Sequence, residues 1–255
     1  MSLLVIEKLE KYWHDFILSF PWAIDLDGAV VASYPRLPYY EPNHAATINV
    51  NEDAVADLWE RIVKHSSARG SSSMWFRVTP LTHPPSFQAF LAKHGCHRDF
   101  EMSVMTFKSN RVVDAVSHEG EIKEISGGEV NVWKTLMYAI FGIPPEWKEG
   151  FDSYVHAYRR RGAKCYLAYI DGRPVGTCSL LSIDGSGGIF SVGTMKQYRK
   201  RGIGSALTVR ALTDSVKEGN SIHVLYVDKG EYAEQLYRKV GFETSYTATW
   251  YAARF

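Results

Sequence analysis

Val192-Gly193-Thr194-Met195-Lys196-Gln197-Tyr198-Arg199-Lys200-Arg201-Gly202-Ile203-Gly204-Ser205-Ala206 is the stretch on which the reading of this chain turns. An apolar strand pattern ends near Thr194, and helical spacing begins near Gly202 and runs to Lys217. Between them lies a basic turn that carries Arg199, Lys200, Arg201, Gly202 and Gly204. Glycines let a backbone approach a bound group closely. The N–H groups of a first helical turn have no intrahelical partner, and the helix dipole favours negative charge beside them. The arginines and lysine add cationic attraction, so the pattern describes a pyrophosphate cradle. Two common phosphate loops do not fit. A dinucleotide fold needs a third glycine where Leu207 stands, and a P-loop needs a lysine between its last glycine and the hydroxyl residue, whereas Gly204 is followed directly by Ser205.

Upstream, three apolar runs cover residues 165–170, 174–183 and 188–194. Asp171-Gly172 and Asp184-Gly185 separate them. Asp-Gly between apolar runs is a strong hairpin signal, so these strands are expected as an antiparallel meander. Before them come a strand at 121–125 and helices at 129–141 and 146–161. After the cradle helix come a strand at 222–227, a helix at 231–240 and a long strand at 242–252. The expected fold class is α/β, a mixed sheet covered by helices.

Arg199-x-x-Gly202-x-Gly204 after a strand resembles the acyl-CoA pyrophosphate motif of the GNAT superfamily of N-acetyltransferases. The order of the surrounding elements is similar to that family's. So is the downstream run Ala233-Glu-Gln-Leu236-Tyr237-Arg-Lys-Val-Gly241-Phe242. The resemblance covers residues 119–255. It implies that Val192, Gly193 and Thr194 hydrogen-bond the pantetheine arm as an added strand. It implies that the N–H near Met195 polarises the thioester carbonyl, and that Arg199, Lys200, Arg201, Gly202, Ile203, Gly204 and Ser205 hold the pyrophosphate. On spacing alone Tyr237 is a core aromatic of an amphipathic helix; the resemblance implies that it is the general acid. A thiol (pKa ~8.5) and a phenol (~10) are close enough for a placed tyrosine to protonate a leaving thiolate. The amine must also lose a proton, and Glu146, His156, His223 and Asp228 stay open as the base. The family often has an asparagine just before the Ala-x-x-Leu-Tyr helix, where Gly230 stands here. Phe141, Ile143, Pro144, Pro145 and Trp147 form an apolar loop that either borders the acceptor or packs helix on helix.

The first half carries a weaker echo. Phe87-Gln-Ala-Phe-Leu91-Ala-Lys-His-Gly95-Cys aligns without a gap on Ala233 to Phe242, glycine on glycine and Leu91 on Tyr237. The expected strand at 74–78 and the helix from Glu52 to Arg69, with Asn51 as its N-cap and Gly70 as its C-cap, match the strand at 222–227 and the cradle helix in kind. A helix at 6–20, an ordered loop at 33–43, a short strand at 46–50, a helix at 85–94 and a strand at 100–107 complete this half. It has neither cradle nor tyrosine, so residues 1–112 are expected as a degenerate, truncated GNAT-like domain that binds no CoA. The complete, catalytic domain is expected at 119–255, with residues 108–120 as linker.

Within the 255 residues the net charge is +1, which supplies no broad field for nucleic acid or an anionic membrane. No apolar run reaches the ~18 residues of a membrane span. Cys96, Cys165 and Cys178 have no paired spacing for a metal or a disulfide framework. The expectation is a cytoplasmic acyltransferase with acetyl-CoA as cosubstrate and no metal. It would act on a small-molecule or peptide amine, with no nucleic-acid or membrane partner and a homodimer left open. The alternative is a non-catalytic acyl-CoA sensor on the same fold.

Overall fold

The computed structural model describes residues 3–108 and 117–255; most of the expected linker lies outside them. The chain divides into two compact units. One comprises Met1–Ser103 with Ser245–Phe255, the other Val104–Thr244.

The first unit contains α1 (Leu3–Leu18), β1 (Ala23–Asp25), β2 (Val30–Ser33), β3 (Asn43–Ala46), α2 (Val55–Ala68), β4 (Ser73–Val78), α3 (Phe87–Lys93) and the start of β5 (His97–Lys108). α1 forms because Leu9, Tyr12, Trp13, Phe16 and Ile17 recur at three- and four-residue spacing and bury one face. β2 pairs antiparallel with β1 and with β3, and β3 runs parallel to β4 through His44–Trp75 and Ala45–Phe76. β11 (Glu243–Arg254) closes this sheet, its residues 249–254 lying antiparallel to β4. Phe76, Leu58, Ile62, Phe87 and Leu91 centre the core.

β1 and β2 add a hairpin that the sequence reading does not contain. The short strand lies at Asn43–Ala46 rather than 46–50, because Asn43 and His44 are polar yet buried. Asn43 Nδ2 donates to Leu37 O (2.6 Å) and Tyr39 O (3.0 Å), and His44 Nε2 accepts from Trp13 Nε1 (3.1 Å). Asn51 is extended, as at an N-cap, but makes no side-chain capping bond. It precedes a 3-10 turn, and Gly70, in the left-handed region at φ 87°, follows a helix whose cap residue is Arg69.

The second unit holds β6 (Glu121–Glu124), α4 (Val130–Phe141), α5 (Lys148–Arg160), β7 (Lys164–Ile170), β8 (Arg173–Ile183), β9 (Ser186–Thr194), α6 (Ile203–Lys217), β10 (Ile222–Asp228) and α7 (Tyr232–Val240). Its strands run in the order β5, β10, β9, β8, β7, β6. β6 to β9 pair antiparallel as the two Asp-Gly turns require, and β9 runs parallel to β10. α6 and α7 cover one face over Leu207, Leu225, Tyr237 and Phe242. α4 lies on the other face, its end against Gly193. The fold is mixed α/β, as the sequence indicates. The cysteines are free and buried. Among the described residues no helix is long and apolar enough to cross a membrane.

Candidate active site

The site begins with a break in pairing. β9 and β10 pair only from Ser186–Ile222 to Ile189–Leu225, although both strands continue. The cause is a bulge. Ser179 faces Phe190 and Thr177 faces Gly193, so two residues of β9, Ser191 and Val192, stand opposite Cys178 alone. Ser191 takes φ 55° to make the extra step, and its carbonyl accepts from Thr177 Oγ1 at 2.8 Å. A bulged strand bends and ends its ladder there. The ladder to β8 resumes at Gly193 and Thr194, whereas the ladder to β10 does not, which leaves residues 192–194 as an open edge on that side.

Met195 corrects the sequence reading. Its N–H donates to Val175 O at 2.9 Å and points at β8, away from the gap. Alternation along the strand turns the N–H groups of Val192 and Thr194 the other way. Thr194 is thus the residue whose N–H faces the opened side nearest the cradle.

The cradle follows at once. Lys200 (φ 66°) and Gly202 (φ 76°) both take left-handed backbone, which folds the turn back onto the start of α6. The first regular bond of the helix runs from Ala206 N to Gly202 O (2.9 Å), so the N–H groups of Ile203, Gly204 and Ser205 precede it and are open at the helix start. Arg199, Lys200 and Arg201 are exposed. Arg199 Nε donates to Thr194 O (3.2 Å), and Arg201 pairs with Glu119 (3.1 Å). Gly202 also meets a neighbour: a Cβ there would sit 2.4 Å from Ser117 O.

Gly204 marks the convergence. A Cβ on it would stand 3.2 Å from Leu236 Cδ1 and 3.7 Å from Thr194 Oγ1. The helix start, the free strand edge and α7 therefore meet at one place. Tyr237, next to Leu236, is 7% exposed in the same cluster as Val192, Ile203 and Leu225. Burial, with a smaller contribution from Cys178, raises its pKa well above the ordinary phenol value and keeps it protonated. α7 ends in the geometry its Gly241 suggests, with Phe242 N bonded to Tyr237 O at 3.0 Å.

The candidate bases separate. His223 sits at the far, paired end of β10, where Nδ1 meets Ser215 Oγ (2.9 Å) and burial lowers its pKa. Glu146 lies in the short turn before α5, and His156 lies on α5. Asp228 closes β10 at the mouth of the gap, and its pKa is raised by partial burial and then by Glu231. Gly230 has φ 86° and donates its N–H to Glu234 Oε2 (2.9 Å), so a turn occupies the position of the family's asparagine. Phe190 and Tyr226 are missed by the sequence reading. They lie just past the last paired residues, their rings stacked at 5.9 Å. Their alternation with Ile189 and Leu225 is visible in the sequence, but the place where the strands part is not.

The acetyltransferase (GNAT) family matches residues 132–242. These residues form a GNAT acetyltransferase domain. Solved structures agree over more of the chain. A GCN5-related N-acetyltransferase from Kribbella flavida superposes with a TM-score of 0.74 at 16% identity, covering 96% of this chain and 94% of that one. One from Sphaerobacter thermophilus gives 0.68 at 18% identity, covering 89% and 76%. A tandem GNAT protein from the clavulanic acid biosynthesis pathway gives 0.63 at 15% identity, covering 83% and 75%. At these identities the likeness is one of fold. No curated protein matches the chain.

Proposed function

We propose that this GNAT domain is an acetyl-CoA-dependent N-acetyltransferase that acts by direct attack of an amine on the thioester. The convergence of the Thr194 edge, the open start of α6 and the Leu236–Tyr237 turn of α7 around Gly204 carries this reading. Open N–H groups and exposed cations at residues 199–205 suit a pyrophosphate. The open β9 edge suits the amides of a pantetheine arm, which can add to it as a strand. The Thr194 N–H on that edge would polarise the thioester carbonyl.

In the reaction the amine lone pair attacks the carbonyl carbon and forms the C–N bond. The C–S bond then breaks. The thiolate takes the Tyr237 phenolic proton, and the amine gives its surplus proton to Asp228, directly or through water. The phenol is protonated at neutral pH, and the burial that raises its pKa also makes the phenolate left by donation costlier, so the thiolate must form against it for the proton to pass. A raised carboxylate is a better base than an ordinary one.

The test combines binding and turnover. CoA and acetyl-CoA should raise the melting temperature, because they bind the folded state alone. Acetyl-CoA with a panel of amines should release free thiol. Stabilisation without thiol release from any amine would leave an acyl-CoA sensor instead.

A further inference from the structure

The β9–β10 gap opens on two faces of the sheet, and α6 and α7 cover one of them. On the α6–α7 face Ile189, Leu225 and Val227 point into the core with Tyr237. Strand alternation puts Phe190, Tyr226 and Asp228 on the other face. There Phe190 and Tyr226 stack at 5.9 Å, both partly exposed, and Tyr158 of α5 meets Phe190 edge-on at 6.2 Å. Beyond the bulge the same face carries Phe141. A Cβ on Gly193 would lie 2.9 Å from its Cζ, and the ring is 48% exposed. Rings thus flank the open stretch of β9 on this face, one at Gly193 and a stacked pair at Phe190. On the adjoining helices Lys134 pairs with Asp152 at 3.0 Å, and Tyr138 donates to the same carboxylate. Asp228, two residues beyond Tyr226, brings a carboxylate to this face of β10 at the gap.

We propose that the acceptor is a primary amine carried on an aromatic ring, with the ring held by Phe141, Phe190 and Tyr226 and the amino group directed between Asp228 and the thioester. This rests on the transferase reading above and names its substrate class. Flat rings meet such a surface in stacked or edge-on geometry, and an ammonium is drawn to ring faces and to a carboxylate together. A sugar amine would leave its hydroxyls against the rings without partners, and a polyamine has no flat apolar body for them to cover.

The test uses the whole chain and four amines: 2-phenylethylamine, 2-cyclohexylethylamine, ethanolamine and spermidine. Thiol release gives kcat/KM, and calorimetric titration of each amine into the CoA complex gives affinity without chemistry. By kcat/KM, phenylethylamine should exceed ethanolamine and spermidine by about 100-fold, from apolar burial. It should exceed cyclohexylethylamine, matched in size, by about threefold to tenfold, from ring contacts. Phe190→Leu and Tyr226→Leu, made separately so that a folding failure in one leaves the other, should each shrink the second ratio toward one. The CoA-induced rise in melting temperature should persist in both. Ethanolamine or spermidine as the better substrate, or an unchanged ratio in both variants, overturns the aromatic acceptor and leaves the transferase standing. Tight binding of phenylethylamine to the CoA complex without thiol release supports the aromatic site and overturns the transferase.

Discussion

β9 and β10 in one unit, and β3 and β4 in the other, are parallel strands joined through a helix, and each pair parts soon after it forms. In each, a helix ended by a left-handed glycine follows the second strand. Cys96 N bonds Leu91 O at 3.0 Å as Phe242 N bonds Tyr237 O at 3.0 Å, which puts Leu91 in the place of Tyr237 by backbone geometry. The two crevices are furnished differently. The second unit opens onto an exposed basic turn and free helical N–H groups. The first leads to a 3-10 turn with Glu52 and Asp53, both exposed, where Glu52 accepts from Ser86 Oγ at 2.6 Å. A pocket of about 240 Å³ remains there, lined by Thr47, Asn49, Thr79 and Leu81 and bordered by Glu10 and His14 of α1. The edge beyond β9 is open, whereas the edge beyond β3 is plugged by His83, whose N–H donates to Ile48 O at 2.9 Å and whose carbonyl accepts from Val50 N at 3.2 Å.

The largest effect that tests this contrast belongs to Tyr237. Tyr237→Phe keeps the ring and its packing on Phe242 and removes only the proton donor. Acyl transfer should slow by about 10²–10⁴-fold with little change in CoA affinity. The loss should shrink with an acyl donor whose leaving thiol is more acidic. A destabilised protein with an unchanged rate would make Tyr237 as structural as Leu91.

In the first unit the greatest loss should come from its buried ion pair. Glu10, 5% exposed, takes two bonds from Arg77, at 2.7 and 2.9 Å, and Arg77 is fully buried. Tyr246 donates to the same carboxylate, and Trp13 lies under the guanidinium at 4.6 Å. Glu10→Gln leaves a buried cation without its counter-charge and should cost about 3–5 kcal/mol in urea unfolding. A cost below about 1 kcal/mol would show that water reaches Arg77.

Gly202 and Gly204 divide by what surrounds them. Gly202 has φ 76° and Ser117 O beside it, so any side chain there strains the backbone before it touches a ligand. Gly204 lies in a helix with its nearest obstacle at 3.2 Å, the end of Leu236, which can shift. Gly204→Asp should keep the fold and abolish the CoA-induced rise in melting temperature, while Gly202→Asp should lower the melting temperature of the free protein as well. A normal CoA response in Gly204→Asp would move the pyrophosphate elsewhere.

The second unit is legible in the sequence because its signals are local. Asp-Gly turns at 171–172 and 184–185 set the meander, and glycines at 202 and 241 set helix ends. What the sequence hides is nonlocal. The direction of the Met195 N–H depends on its bond to Val175 across the hairpin. The parting of β9 from β10 depends on Ser191 taking φ 55° opposite Cys178, and serine carries no sign of that. β3 is displaced from its expected place because Asn43 and His44 look like loop residues until Leu37, Tyr39 and Trp13 supply their partners.

The smallest expected change is also the sharpest test of the plug. Leu91→Tyr places a tyrosine in the first unit at the matching position. Leu91 is wholly buried among Phe87, Phe76 and Cys96, so the added hydroxyl enters an apolar core. An unpaired buried hydroxyl costs about 1–3 kcal/mol, and the larger ring adds packing strain. The melting temperature should therefore fall by a few degrees. Thiol release per chain and CoA stoichiometry should stay as they were, because His83 still plugs the edge beyond β3. A second equivalent of CoA bound in calorimetry by Leu91→Tyr, or by the parent chain, would show that His83 does not exclude it. The difference between the crevices would then lie in the acid alone.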